Sequence, residues 1–200
     1  MTKKIVVLIS GSGTNLQALI DAEKQGVLGG KITLVVSNKK AAYGLTRAAD
    51  AGIPTFIQTL KEYRDSGKSR EDFDCDLAKH IASTQTPDLV VLAGWMHILS
   101  PAFINFFSGK IINLHPALPG ELDGAHAIDR AYSEFVDGQR TETGVMVHYV
   151  IPEVDKGEPI LTQKVPCVEG DSLEDLESRI HAVEHQILPK AVKLVLDRVV

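Results

Sequence analysis

The sequence predicts an α/β protein on an open, mostly parallel sheet with helices on both faces, closed by a C-terminal strand pair and a long helix. Three observations predict it. Short runs of Ile, Val and Leu recur, apolar throughout, as in parallel strands buried on both faces. Between them lie segments whose apolar residues fall three or four apart, the period of a helix. In the last third the pattern changes to strict alternation, the mark of half-exposed strands, and then to one long amphipathic stretch.

The elements follow in order. Residues 4–10 form the first buried strand, ended by the sharp turn Gly11-Ser12-Gly13. Thr14 or Ser12 can cap the next helix, whose apolar face is Leu16, Leu19 and Ile20. Residues 31–37 are a second strand, 41–51 a helix stopped by Gly52 and Pro54, and 55–58 a short third strand. Residues 70–84 read as a helix with Phe73, Leu77 and Ile81 on one face. Residues 88–93 make the most hydrophobic strand, 101–107 a short helical piece and 111–114 a further strand. This alternation is Rossmann-like. Residues 144–150 and 160–165 form the strand pair around a turn at 152–157. Asp171 and Ser172 start the long helix, with Leu176, Ile180, Val183 and Ile187 on its apolar side, and Pro189 breaks or kinks it. No Ser/Gly-rich linker divides the chain, so residues 1–200 are expected to form a single domain.

Composition narrows the function. Of 200 residues, 44% are hydrophobic and 24% charged, which excludes a disordered chain, a collagen-like repeat and a disulfide scaffold. The longest apolar runs, such as 89–93, are far too short to span a bilayer. Met1-Thr2-Lys3-Lys4 leads straight into the first strand without a secretory hydrophobic region, so a cytoplasmic protein is expected. With 21 basic and 26 acidic side chains, the net charge of −5 argues against a protein that coats nucleic acid. It leaves room for a small anion held locally. Cys75 and Cys167 stand far apart in no CxxC or CxxH pattern, so free thiols and no zinc site are expected. His181 and His185 lie one helical turn apart, without an evident third ligand.

Three constellations can carry chemistry. Gly11, Ser12, Gly13, Thr14 and Asn15 lie at a helix N-terminus, where main-chain N–H groups and the helix dipole favour an anion. Such turns also occur with no ligand, and the loop alone does not decide. A dinucleotide fingerprint would need a third glycine where Leu16 stands and an acidic residue where Asn38 stands. The Gly-Lys-Ser/Thr of a P-loop is missing, so a monophosphate suits the turn better than NAD or ATP. Second, Asn113 and His115 are two apart on a strand and share a face at its carboxyl end, before Pro116. An amide beside an imidazolium can hold an oxyanion; a histidine bonded to a nearby loop is the competing reading. Third, Asp155 lies in the turn between the two late strands. A solvated turn residue is the ordinary reading; folded against His115, it would raise the imidazole pKa and keep it charged near neutral pH.

The stretches VVLISGSGTNLQ (6–17), LAGWMHILSP (92–101), NLHP (113–116), GVMVH (144–148) with Asp155, and Glu184-His185 together carry a resemblance. In order and spacing, over nearly the whole chain, they resemble the phosphoribosylglycinamide formyltransferases, a folate-dependent formyltransferase family. The resemblance implies transfer of formyl from 10-formyltetrahydrofolate to the amine of glycinamide ribonucleotide in purine biosynthesis. The amine would attack directly, through a tetrahedral intermediate and without a metal. Asn113 and His115 would stabilise the oxyanion, and Asp155 would keep His115 charged and relay a proton. Gly11, Ser12, Gly13, Thr14 and Asn15 would hold the phosphate, Arg70 would be a second phosphate contact, and Glu184 would meet the ribose hydroxyls. Met96, His97, Ile98, Leu99 and Asn113 would form the folate pocket. A phosphate-binding half (about 1–100) and a catalytic, folate-binding half (about 88–200) follow. The implied protein is a monomer or homodimer with no nucleic-acid or membrane partner.

Some positions depart from the family's pattern. His97 stands where the family commonly has Arg, which weakens electrostatic help to the folate's acidic tail. After His-Pro the family usually reads Ser-Leu-Leu-Pro; here it is Ala117-Leu118-Pro119-Gly120, while Gly124 keeps its distance from His115. The segment 135–143 is a few residues longer than the family's pattern. Alternatives are a methionyl-tRNA formyltransferase, which needs an RNA-binding domain, and a formyltetrahydrofolate hydrolase, which usually carries a regulatory domain first. A noncatalytic nucleotide-sensing module would keep the glycine turn but not need Asn113, His115 and Asp155 together.

Overall fold

A computed structural model describes residues 2–198. The described strands are β1 (Lys4–Ile9), β2 (Lys31–Ser37), β3 (Thr55–Ile57), β4 (Leu89–Leu92), β5 (Ile111–His115), β6 (Glu142–Tyr149) and β7 (Pro159–Pro166). They make one seven-stranded sheet in the order β3-β2-β1-β4-β5-β6-β7. Pairing is parallel from β3 through β5, and β6 and β7 add antiparallel. The sequence order reverses between β1 and β4. Loops leaving their carboxyl ends diverge there, and the crevice that opens is where ligands bind in such sheets.

Ile5, Val7 and Ile9 of β1 face one core, and Val6 and Leu8 the other; all are fully buried. The first core is closed by α1 (Thr14–Lys24) and α7 (Leu173–Arg198), through Leu16, Leu19, Ile180 and Leu188. The second is closed by α4 (Arg70–Thr84) and α5 (Pro101–Ile104, continued by a 3₁₀ turn), through Phe73, Leu77, Ile81 and Phe103. Two capping boxes set the start of the longest helices. Ser69 and Asp72 exchange side-chain and main-chain bonds at α4, and Ser172 and Asp175 do the same at α7.

The structure corrects several sequence expectations. Neither Ser12 nor Thr14 caps α1; its N-cap is Gly13, left-handed at φ 71°. The helix expected over 41–51 shortens to α2 (Gly44–Asp50). Two helices appear that were not expected: α3 (Leu60–Asp65), with no buried residue, and α6 (Ala127–Val136), which buries Ala127 and Ala131 and packs Ile128 and Tyr132 on the core. Pro189 lies inside a continuous α7. A proline there costs about 3 kcal/mol, but Ile187, Leu188, Ala191 and Val192 around it are buried and hold both sides in line. Among the described residues no helix is long and apolar enough to cross a membrane.

Candidate active site

A cleft of about 660 Å³ runs across the carboxyl ends of β1, β4 and β5. At one end lies the glycine turn. It is packed so tightly on α2 that a Cβ on Gly13 would stand 2.5 Å from the Gly44 Cα. A Cβ on Gly44 would in turn meet Ile9 at 2.4 Å. The Gly44 N–H donates to the Gly11 carbonyl (3.1 Å) and Arg47 Nε to the Ser12 carbonyl (2.9 Å). These bonds pull carbonyls away from the cleft, while the first-turn amides of α1, which have no acceptor within the helix, open toward it. Asn15 donates from Nδ2 to Glu184 Oε2 of α7 at 3.0 Å, and its own Oδ1 is buried without a partner. Burial raises the Glu184 pKa above the ordinary carboxylate value; the Asn15 bond and His181 act against it.

The loop after β4 forms a second wall. Met96 is anchored by its N–H to Ser10 Oγ (2.9 Å). Met96 and Ile98 stand 71% and 68% exposed, whereas Leu99 is buried. His97 turns inward, edge-on to Phe73 and Trp95. Burial, and then the Arg70 charge, hold its pKa below the ordinary histidine value. Arg70, expected as a second phosphate contact, is not among the residues lining the cleft. It begins α4, bonds Asp74 (3.2 Å) and donates to the Ile98 carbonyl (2.7 Å), because the Ser69 capping box aims the first turn of α4 at this loop.

Between these walls, β5 delivers Asn113 and His115. The antiparallel register sets Asn113 opposite His148 and His115 opposite Met146. Asn113 Nδ2 lies 3.2 Å from His148 Nε2 and donates to Asp155 Oδ1 at 3.4 Å. Asp155 Oδ2 accepts the Gly124 N–H (2.8 Å) and lies 3.5 Å from His115 Nδ1. The turn carrying Asp155 is pinned to β6, since a Cβ on Gly157 would collide with the Tyr149 carbonyl. Asp155 itself is left-handed, at φ 56°. His115 Nε2 faces the Leu122 carbonyl (3.2 Å), an acceptor only, so Nε2 carries a proton and donates.

Asp155 is therefore in place. Burial lowers the imidazole pKa more than Asp155 and Leu122 raise it, the opposite of the direction expected from Asp155 alone. Burial would raise the Asp155 pKa. The His148 imidazole, the Gly124 N–H and His115 together outweigh it and hold the carboxyl below its ordinary value.

Sequence reasoning named His148 only within a matching segment and gave Leu122 no role. Buried Val145 and Val147 put His148 on the opposite face of β6, the signal that was available; its partner emerges only from the β5–β6 pairing.

A family model described as formyl transferase matches residues 3–192. The chain belongs to the formyl transferase family. Within it, a Schizosaccharomyces pombe phosphoribosylglycinamide formyltransferase is 53% identical over 204 residues, covering 98% of both chains. A Dictyostelium discoideum protein of the same name is 47% identical over 97% of this chain and 98% of its own. Among solved structures, glycinamide ribonucleotide transformylase 1 from Symbiobacterium toebii superposes with a TM-score of 0.90 at 38% identity. That match covers 98% of this chain and 88% of the other. In this formyltransferase the cleft thus joins a glycine turn at a helix N-terminus, an apolar wall and a carboxylate–imidazole–amide cluster.

Proposed function

We propose that the chain transfers the formyl group of 10-formyltetrahydrofolate to the amine of glycinamide ribonucleotide, a step of purine biosynthesis. The observation that carries this reading is the convergence of Asn113, His115 and Asp155 in the cleft that the glycine turn and residues 96–99 also line. A phosphate on Gly11–Asn15 and a ribose against Glu184 point the substrate amine toward Asp155. A pterin along Met96, His97, Ile98 and Leu99 brings the formyl carbon to Asn113. Arg70, bonded to Ile98, then sits where the acidic tail of the folate leaves the cleft.

The amine lone pair forms the C–N bond and the formyl oxygen becomes an oxyanion. The Asn113 amide and the His115 Nε2–H donate to it, with the His115 proton leaving the Leu122 carbonyl. Asp155, ionised at neutral pH, takes the proton of the attacking nitrogen through water and returns it to the folate nitrogen as the C–N bond to folate breaks. His115 donates through its Nε2–H whether or not the ring is charged, so this role takes no further proton. We read the chain as working in the cytosol, as a monomer or homodimer, its N-terminal half binding phosphate and its C-terminal half folate.

The test is to incubate the protein with both substrates and follow tetrahydrofolate and formylglycinamide ribonucleotide together. Equal amounts of both are expected. Folded protein with fresh co-substrate that yields neither product, or that releases formate instead, overturns the reading.

A further inference from the structure

The two segments in which the chain departs from its family's pattern meet in space. Arg140, in the lengthened segment 135–143, has a side chain only 14% exposed. Its Nε and Nη2 hold Glu134 Oε2 of α6 at 2.8 and 2.7 Å. Its Nη1 donates to Glu121 Oε2 in the altered loop at 2.7 Å and to the Glu142 carbonyl of β6 at 3.1 Å. One guanidinium therefore ties α6, β6 and the loop after β5 together.

What lies next to Glu121 gives this tie a consequence. Leu122 supplies the carbonyl that takes the His115 Nε2–H, and Gly124 supplies the N–H that holds Asp155. Leu118 is seated on Gly144, where a Cβ would meet it at 2.3 Å, and Arg130 donates to the Leu122 and Asp123 carbonyls. Lys156 pairs with Asp123. Leu118 precedes Glu121 and the other two fastenings follow it, so Arg140 is what ties the Glu121 side chain to the framework. Without the guanidinium, Glu121 and Glu134 are left as neighbouring, half-buried carboxylates with no cation between them.

We infer that Arg140 is a positioning residue for formyl transfer, acting through Glu121 to set residues 121–124 against His115 and Asp155. The inference rests on the roles proposed above for those two residues. Glu121 and Arg140, 19 residues apart in sequence, then act as one device that joins the loop after β5 to α6 and β6.

Arg140→Gln, Arg140→Lys, Glu121→Ala and the Arg140→Gln/Glu121→Ala double variant test it, with rates counted per folded molecule. Arg140→Gln is expected to lower kcat about 10- to 100-fold with KM for glycinamide ribonucleotide unchanged. The double variant should be no worse than the poorer single, because both remove one interaction, and Arg140→Lys should fall between. The His115 proton resonance is expected to titrate higher than in the wild type, since a released loop lets water reach the ring and removes the larger, burial effect. Amide exchange at 117–126 should quicken. A merely structural role would leave the His115 titration of the folded molecules where it was. Wild-type kcat and unchanged His115 titration in Arg140→Gln overturn the inference. Asp155→Asn, run alongside, separates the two failures: if it is inactive while Arg140→Gln is normal, only the role of Arg140 falls. If Asp155→Asn turns over normally, the mechanism and the inference fall together.

Discussion

The glycine turn after β1 and the Asn113–His115–Asp155 cluster share one cleft but are made of different material. The turn is main chain: five consecutive residues, fastened by the Gly44 N–H and Arg47, with a shape that depends on two missing Cβ atoms. The cluster is side chains from β5, β6 and the turn between β6 and β7, up to 42 residues apart in sequence, and its geometry depends on how those elements pack. Amides do not titrate, so the turn presents the same face to an anion across the working pH range. The cluster consists of groups whose charges depend on burial and on one another. Binding and chemistry should therefore respond to different perturbations.

The strongest way to break this contrast is at Asp155. Asp155→Asn keeps an oxygen for the Gly124 N–H but cannot carry a proton, so it should fold and lose about 10²- to 10⁴-fold in turnover. Steady-state rates with circular dichroism check this; a near-normal rate removes Asp155 from the mechanism. Gly13→Ala attacks the other end. A Cβ 2.5 Å from Gly44, at φ 71°, must shift the turn or α2. Overpacking of this kind costs about 1–3 kcal/mol, measurable by denaturant unfolding. KM for glycinamide ribonucleotide should rise well before kcat falls. Equal loss in both would mean that the two ends are coupled.

The smallest effect sharpens the comparison through pH. Burial holds the pKa values of His97, His115 and His185 below the ordinary 6.5. The unfolded chain takes up protons near that value and the folded chain only below it. The stability contributed by keeping these rings neutral is thus complete above 6.5 and declines as pH falls through the folded pKa values. Tm should drop on acidification from about pH 7.5 to about 5.5, and His97→Phe should flatten the slope. Glu184, raised by burial, has the opposite sign: its contribution is complete below the ordinary 4.5 and is lost as pH rises through its folded pKa.

Local rules carried most of the fold. The apolar runs marked the parallel strands, and the Ser69–Asp72 capping box gives α4 the ends that its periodicity predicts. Helix α6 was legible but missed: Ala127, Ile128, Ala131 and Tyr132 recur at helical spacing and face the core. In the site, the glycine turn was legible as a whole, being contiguous. Asn113, His115 and Asp155 could be named by type and spacing, but their distances, and His148 opposite Asn113, require the antiparallel register. Arg70 could be named as a cation, but its bond to the Ile98 carbonyl depends on the docking of α4 on the 96–99 loop. The direction of the His115 shift was not legible, because burial, which outweighs Asp155, has no sequence signature.

Met96 and Ile98 leave more than half of their side-chain surface to water at the mouth of the cleft. A flat ring laid across them would strip that water away, so folate binding should carry a negative heat-capacity change. The affinity would then have a characteristic temperature dependence, and calorimetry could follow occupancy of this wall without any turnover at all.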